Sequence, residues 1–235
     1  NPRTNEIMKK IILINTICVS LSLCANAALT ITSSVATRVD EYIGAGGGNA
    51  DPDGLGDRNA GNANMLVGYF KQENVEDMVS IWAFQMTGTA SGTNITDADF
   101  SVTQTGGGGN LAADAYVIRT AGASTISVSD YQTNAQLLMS NFNSSGAGAQ
   151  SLDAGGMTNL ISYLQTNWVE NDYVFIGIKN QSTPTGLTFV GDDSNNFDFY
   201  TAGDNGGTLT LVVPEPSSTA LLGLGGLALI LRRRK

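Results

Sequence analysis

The sequence contains no histidine, and its only two cysteines, Cys18 and Cys24, fall within the first 27 residues. The remainder of the chain therefore cannot build Ser-His-Asp or Cys-His nucleophile systems, nor the usual zinc sites. Disulfides are excluded there too, so that part of the chain must be held by its core, with metal ions as the other available brace. Basic residues are almost as scarce. Between residues 28 and 213 only Arg38, Arg58, Lys71, Arg119 and Lys179 face nineteen acidic residues, a net charge of −14 in a chain that carries −9 overall. Such a surface repels phosphate backbones and argues against nucleic acid as a partner, while it attracts cations and favours solubility. No G-x-S-x-G elbow occurs, and NSSGAG at Asn143 to Gly148 reads as a loop. The glycine runs Gly46 to Gly48 and Gly106 to Gly109 follow no strand-to-helix phosphate pattern and also read as loops.

What is present begins with two end segments. Lys9 and Lys10 follow Met8 and precede an apolar run from Ile11 to Leu23, and Ala25, Asn26 and Ala27 supply the A-x-A pattern of signal-peptidase cleavage before Ala28. Residues 8–27 thus read as a secretory signal peptide, its apolar run short of the roughly 20 residues that span a bilayer. Asn1 to Ile7 are expected to belong to a misassigned start. Removing these residues and the tail leaves 28–213, one domain of ordinary size that can bury about 70% of its unfolded surface.

Within that domain period-2 segments outnumber helical ones. Leu29, Ile31 and Val35 begin the series, followed by MLVGYF (65–70), MVSIWAFQM (78–86), FSV (100–102), AYVIRT (115–120) and TISVS (125–129). YVFIGI (173–178), LTFV (187–190), FDFYT (197–201) and TLTLVV (208–213) complete it. β-Branched and aromatic residues bounded by Gly, Asn, Asp and Ser predict an all-β fold, an antiparallel β-sandwich of jelly-roll type. Two stretches show helical spacing instead: SDYQTNAQLLMSNF, with Ser129 or Asp130 as cap and Tyr131, Ala135, Leu138 and Phe142 on one face, and MTNLISYLQTNW, with Leu160, Ile161, Leu164 and Trp168. One or two short helices are therefore expected to close the sandwich.

Carboxylate chemistry survives the loss of His and Cys, since glycosidases and some lyases need only Asp or Glu; sequence alone does not pair the acids. The clearest metal candidate is NADPDGLGD, where Asn49, Asp51, Asp53 and Asp57 offer oxygen ligands around a turn at Gly54, in the manner of calcium loops. Ala60 stands where such loops carry a bidentate Glu, so the stretch reads either as a calcium site or as an Asp/Asn/Gly turn. The acids Asp192, Asp193 and Asp198 form a weaker second group.

Two resemblances bear on function. In GGMTNLISYLQTNWVENDYVFIGIKNQ and the closing TLTLVV, the residues Leu160, Leu164, Trp168, Asn171, Tyr173, Phe175 to Gly177, Leu209 and Leu211 resemble the DNRLRE-type β-sandwich domains of secreted bacterial proteins. That resemblance implies a module of cell-surface and polysaccharide-associated proteins. At the other end, Pro214, Glu215 and Pro216 precede a Ser/Thr spacer, an apolar stretch from about Ala220 to Leu231, and the basic cluster Arg232, Arg233, Arg234 and Lys235. This arrangement over residues 214–235 resembles the PEP-CTERM sorting signal of Gram-negative bacteria. It implies recognition by an exosortase, cleavage near the motif, and delivery to the surface or extracellular matrix. The apolar stretch is expected to form a transmembrane helix held by its basic tail on the cytoplasmic side, and the prolines to keep residues 213–216 extended and out of any sheet. The expected role is non-enzymatic and structural or adhesive, within extracellular polysaccharide. The alternatives are a carbohydrate-binding module using Trp82, Tyr69 and Tyr116, and a carboxylate-dependent glycosidase or lyase.

Overall fold

Alternation in the sequence turns into strands whose inward residues are apolar. In Asp97–Gln104, for instance, Ala98, Phe100, Val102 and Gln104 are buried while their neighbours face outward. The computed structural model describes residues 26–42, 56–61, 65–71, 75–87, 95–107, 113–131, 136–142, 147–180, 195–198 and 206–214. The strands are β1 (Asn26–Thr32), β2 (Val35–Tyr42), β3 (Arg58–Gly61), β4 (Leu66–Lys71), β5 (Val75–Gln85), β6 (Asp97–Gln104) and β7 (Gly106–Gly107). They continue with β8 (Ala113–Ala121), β9 (Gln136–Met139), β10 (Gly148–Ser151), β11 (Tyr173–Asn180), β12 (Asn195–Asp198) and β13 (Gly207–Pro214), and the helix α1 spans Ala154–Asn167. Ala28–Val212 form one compact unit.

Among the described residues these strands form two antiparallel sheets. A four-stranded sheet has the order β1-β13-β6-β10, and a nine-stranded sheet runs β7-β12-β4-β5-β11-β8-β9, with β2 pairing both β5 and β3. The eleven-residue β5 organises the larger sheet. β2 lies along one edge, from Glu76 to Ala83, and the opposite edge is shared: β4 pairs Val75 to Met78, and β11 pairs Ser80 to Gln85. At the junction Ser80 Oγ donates to Leu66 O at 2.8 Å, so the break in pairing is closed by a side chain.

One face of the larger sheet meets the smaller sheet through aromatic packing. Trp82 of β5 lies 5.7 Å from Phe100 of β6, Phe84 meets the Phe100 ring edge-on at 5.9 Å, and Phe142 stacks on it at 5.6 Å. Each such ring taken out of water contributes roughly 1.5–3 kcal/mol. A Cβ on Gly207 would lie 2.7 Å from Trp82 Cδ1, so only glycine lets β13 approach this close. The opposite face carries Val39, Val79, Ile81, Ala83, Ile118 and Phe175, covered by Ile126 and Tyr131 from the segment after β8. Helix α1 is capped by Asp153, whose carboxylate accepts from Gly156 N at 2.7 Å. It buries Leu160 and Leu164 and is tied to the strands by Asn159 Nδ2 donating to Leu138 O and Gln165 Nε2 to Ile95 O, each at 2.9 Å.

The all-β antiparallel architecture and the helix over MTNLISYLQTNW agree with the sequence reading. Five expectations are corrected, the first being that Gly106 and Gly107, read as loop, form β7 by pairing with Asp198 and Phe197 of β12. The helix over SDYQTNAQLLMSNF is replaced among the described residues by a 3-10 turn at Val128–Tyr131 and by β9. Its apparent stripe goes to separate destinations, Tyr131 to Asp77 and Phe142 to Phe100, and β9 alternates an exposed Leu137 with a buried Leu138. TISVS is not a strand, because Asp130 turns back to accept from Ser127 N at 2.7 Å and curls the chain. The NSSGAG loop ends in β10, where Gly148 pairs with Gln104. Finally, β13 runs through Val213 to Pro214 rather than ending before the prolines; a proline closing a strand omits only a donor that the strand no longer needs. LTFV, Ala135 and the segments expected to be the signal and transmembrane helices lie outside the described residues. Among the described residues no helix is long and apolar enough to cross a membrane.

Candidate functional site

Three of the domain's five cations, Arg38, Arg58 and Arg119, pair with buried carboxylates. Asp40 on β2 is fully buried and accepts from two guanidinium groups. Arg38, two residues away on the same strand face, gives Nε to Oδ1 at 2.6 Å and Nη2 to Oδ2 at 3.0 Å; Arg58 of β3 gives Nη2 to Oδ2 at 2.7 Å. The backbone N–H of Asp57 donates to Asp40 O at 2.8 Å, which closes the loop before β3 onto the same residue. Gly56 makes this closure possible: a Cβ there would sit 2.6 Å from Val128 O and 2.7 Å from Val39 Cγ1.

Arg119 of β8 anchors the covering segment. Its guanidinium donates through Nε and Nη2 to the two oxygens of buried Asp130 and through Nη2 to Thr125 O at 2.8 Å, while its carbon lies 4.0 Å above the Phe175 ring. Charge pairing, capping of the 3-10 turn and stacking thus meet in one side chain.

Next to Asp130 on that segment lies a cluster of opposite character. Glu41 and Asp77 stand directly across from each other on β2 and β5, 2% and 0% exposed. The Tyr131 hydroxyl donates to Asp77 Oδ2 and also neighbours Glu41, and Lys179 Nζ lies 4.2 Å from the centroid of the Tyr131 ring. Asp77 Oδ1 has no hydrogen-bond partner among the described residues. Burial, with the Glu41 charge adding to it, lifts the Asp77 carboxyl from 3.8 to about 6, although Tyr131 and Lys179 pull the other way. Burial and the two acids push the Tyr131 phenol above its ordinary range. A carboxyl titrating near neutrality beside a tyrosine is the pairing expected of a general acid. Here, however, Asp77 lies under the covering segment and Tyr131 is the part of that segment that seals it, at 0% and 4% exposure.

The sequence-predicted sites fall elsewhere. Of the calcium candidates, Asn49, Asp51 and Asp53 lie outside the described residues; Asp57 is exposed at the start of β3. Among the described residues no group of three or more acids is placed to hold a metal ion. Trp82, proposed as a sugar platform, is 1% exposed in the inter-sheet core, and the Tyr116 hydroxyl donates to Asp114 Oδ2 at 3.3 Å; the side chain of Tyr69 lies outside the description. Ala28 is exposed in β1, Ala27 belongs to the same strand, and Ala25 lies outside the described residues. Pro214 ends β13, while Glu215, Pro216, Arg232, Arg233, Arg234 and Lys235 lie outside the description.

The charged network was missed by sequence reasoning. Its available signals were Arg38 and Asp40 at same-face spacing in a strand, and Arg119 alone in the apolar AYVIRT. Comparison with curated proteins finds no match. Residues 212–235 match the PEP-CTERM protein-sorting motif, beginning at Val212 inside β13 and taking in both prolines and the basic tail. The chain thus ends in the sorting signal of a PEP-CTERM exosortase substrate, a signal for export to the surface or the extracellular space.

Proposed function

We propose that the protein is a non-enzymatic structural or adhesive component of the cell surface and its extracellular polysaccharide. The observation that supports this reading is the fate of the most reactive-looking groups. Asp77 and Glu41, which an active site would expose in a cleft, are closed between β2, β5 and the covering segment, whose buried Tyr131 seals them. Asp40 and Asp130 are likewise committed to arginines. Chemistry-capable residues serve cohesion, and the excess of acidic over basic residues gives the domain its −14 charge. An acidic surface gathers divalent cations, and calcium in turn bridges carboxylates of the protein to those of anionic polysaccharide. The resemblance of the second half to DNRLRE-type domains points the same way. The loop from Asn49 to Asp57 is the proposed point of calcium entry.

The test is co-sedimentation of the exported protein with anionic polysaccharide, with and without millimolar calcium. Retention that requires calcium and leaves chain length unchanged is expected. Release of new reducing ends from any polysaccharide would overturn the non-enzymatic reading, and absence of retention under both conditions would overturn the adhesive one.

A further inference from the structure

We propose that the folded domain forms an internal covalent crosslink, an amide between Lys179 Nζ of β11 and the Asp77 carboxyl of β5, assisted by Glu41 and Tyr131. The inference does not depend on what the surface binds. Alternation brings the participants to one face of the larger sheet. On β5, Asp77 lies two residues before Val79 of the apolar cluster, and on β11 Lys179 continues the alternation of Tyr173 and Phe175. Register sets Glu41 directly opposite Asp77. Tyr131 closes over them: its hydroxyl donates to Asp77 Oδ2, and Lys179 Nζ lies 4.2 Å from its ring centroid. Asp77 Oδ1 is buried and has no hydrogen-bond partner among the described residues. The charge of half-buried Lys179 acts on the Asp77 carboxyl, and a lysine stem is long enough to cross between diagonal positions of a sheet. Asp114 stands opposite Lys179 on β8, but its oxygens accept from the Tyr116 hydroxyl and from Asn141 N at 2.9 Å. Asp77 is the acid with an oxygen to lose.

Condensation that fails between separate molecules in water becomes accessible when a fold holds acid and amine together. Lys179 first passes one ammonium proton to Asp77, whose carboxyl burial has lifted to about 6. The amine lone pair then forms the Nζ–Cγ bond. Charge that develops on Oδ2 is met by the Tyr131 hydroxyl already bonded there. Glu41 takes the second Nζ proton and hands it to the departing Oδ1 hydroxyl, so the Cγ–Oδ1 bond breaks and water leaves. An ammonium and a carboxylate enter, one amide and one water emerge, and no oxidant or activating group is consumed. The product rivets β5 to β11, a covalent brace in a region that has no cysteine.

The experiment is a time course of intact mass. The full chain is held unfolded in urea, refolded by dilution at mildly acidic pH, denatured at intervals and weighed by mass spectrometry. The mass is expected to fall by one water on refolding, and trypsin should then fail to cut after Lys179 and release a branched peptide that contains Asp77. Lys179→Arg keeps the cation over Tyr131 and blocks the amide, so it should retain its full mass, and it supplies the unreacted background in which Asp77 titrates. A refolded parent chain at full mass, or a branch at Asp114, overturns the proposal. Glu41→Gln, confirmed as folded by circular dichroism, is expected to lose water roughly a hundredfold more slowly, and an unchanged rate overturns the part assigned to Glu41.

Discussion

Replacing Asp77 by asparagine should stabilise the domain at neutral pH and do nothing for it in acid. Asp77 is fully buried, and its carboxyl titrates at about 6 in the fold against 3.8 ordinarily. Between those two values the folded chain holds a proton that the unfolded chain has already lost. The associated stability is complete below pH 3.8, declines as pH rises, and is gone above about pH 6. A shift of this size corresponds to about 3 kcal/mol at 1.36 kcal/mol per unit. Asparagine keeps the shape of the protonated carboxyl and cannot ionise, so Asp77→Asn should gain up to about 3 kcal/mol at pH 7.5 and almost nothing at pH 3.5. For a domain of this size that is roughly 6–12 °C in melting temperature. Residues 28–214 of both versions would be melted by circular dichroism from pH 3.5 to 8. The comparison between versions cancels the general relief of acidic repulsion and the smaller upward shift that burial causes at Asp99. A pH-independent difference, or a variant less stable than the parent at pH 7.5, would refute the reasoning.

Other perturbations test neighbouring parts of the network. Arg119→Met leaves Asp130 buried without its cation and should cost about 3 kcal/mol in urea unfolding, most of it recovered by adding Asp130→Asn; additive losses would show that the pair is not coupled. Gly56→Ala forces a methyl group against Val128 O and Val39 and should lower stability by roughly 1–3 kcal/mol, read from the denaturation midpoint, and an unchanged midpoint would mean that the loop is not seated there. Asp153→Ala removes the cap of α1 and should cost about 1 kcal/mol, whereas Asp153→Asn should restore most of it.

The parts of this protein that were legible in its sequence are those whose information is local. β5, β8, β11 and β13 are long apolar strands with flanking turn residues, and α1 carries Leu160 and Leu164 one turn apart behind an Asp cap. The sorting motif is a linear address and needs no folding to be read. β3 and β10 were not visible because each is four residues of mostly polar or small side chains, recruited by pairing with β2 and β6 rather than by pattern. QLLM misled because Leu137 and Leu138 satisfy a helical and an alternating pattern equally well over so short a span. The buried network was hidden for a different reason. Glu41 meets Asp77 only through the register of β2 on β5, and Tyr131 reaches both only because Arg119 has fixed Asp130 next to it. Nothing in either strand's own residues announces that two acids will face each other away from water.

The order of the smaller sheet has a consequence for how the chain must be delivered. Its strand nearest the C-terminus sits between its first strand and β6, so the sheet is finished by the final piece of the domain to be made. Trp82 therefore lacks the β13 side of its packing until residues 207–214 have been made, and long-range pairing of this kind is slow and prone to misassociation. Until then the gap between β1 and β6 stays open to the matching strand of another copy, so eight residues decide whether this sheet closes within one molecule or between two.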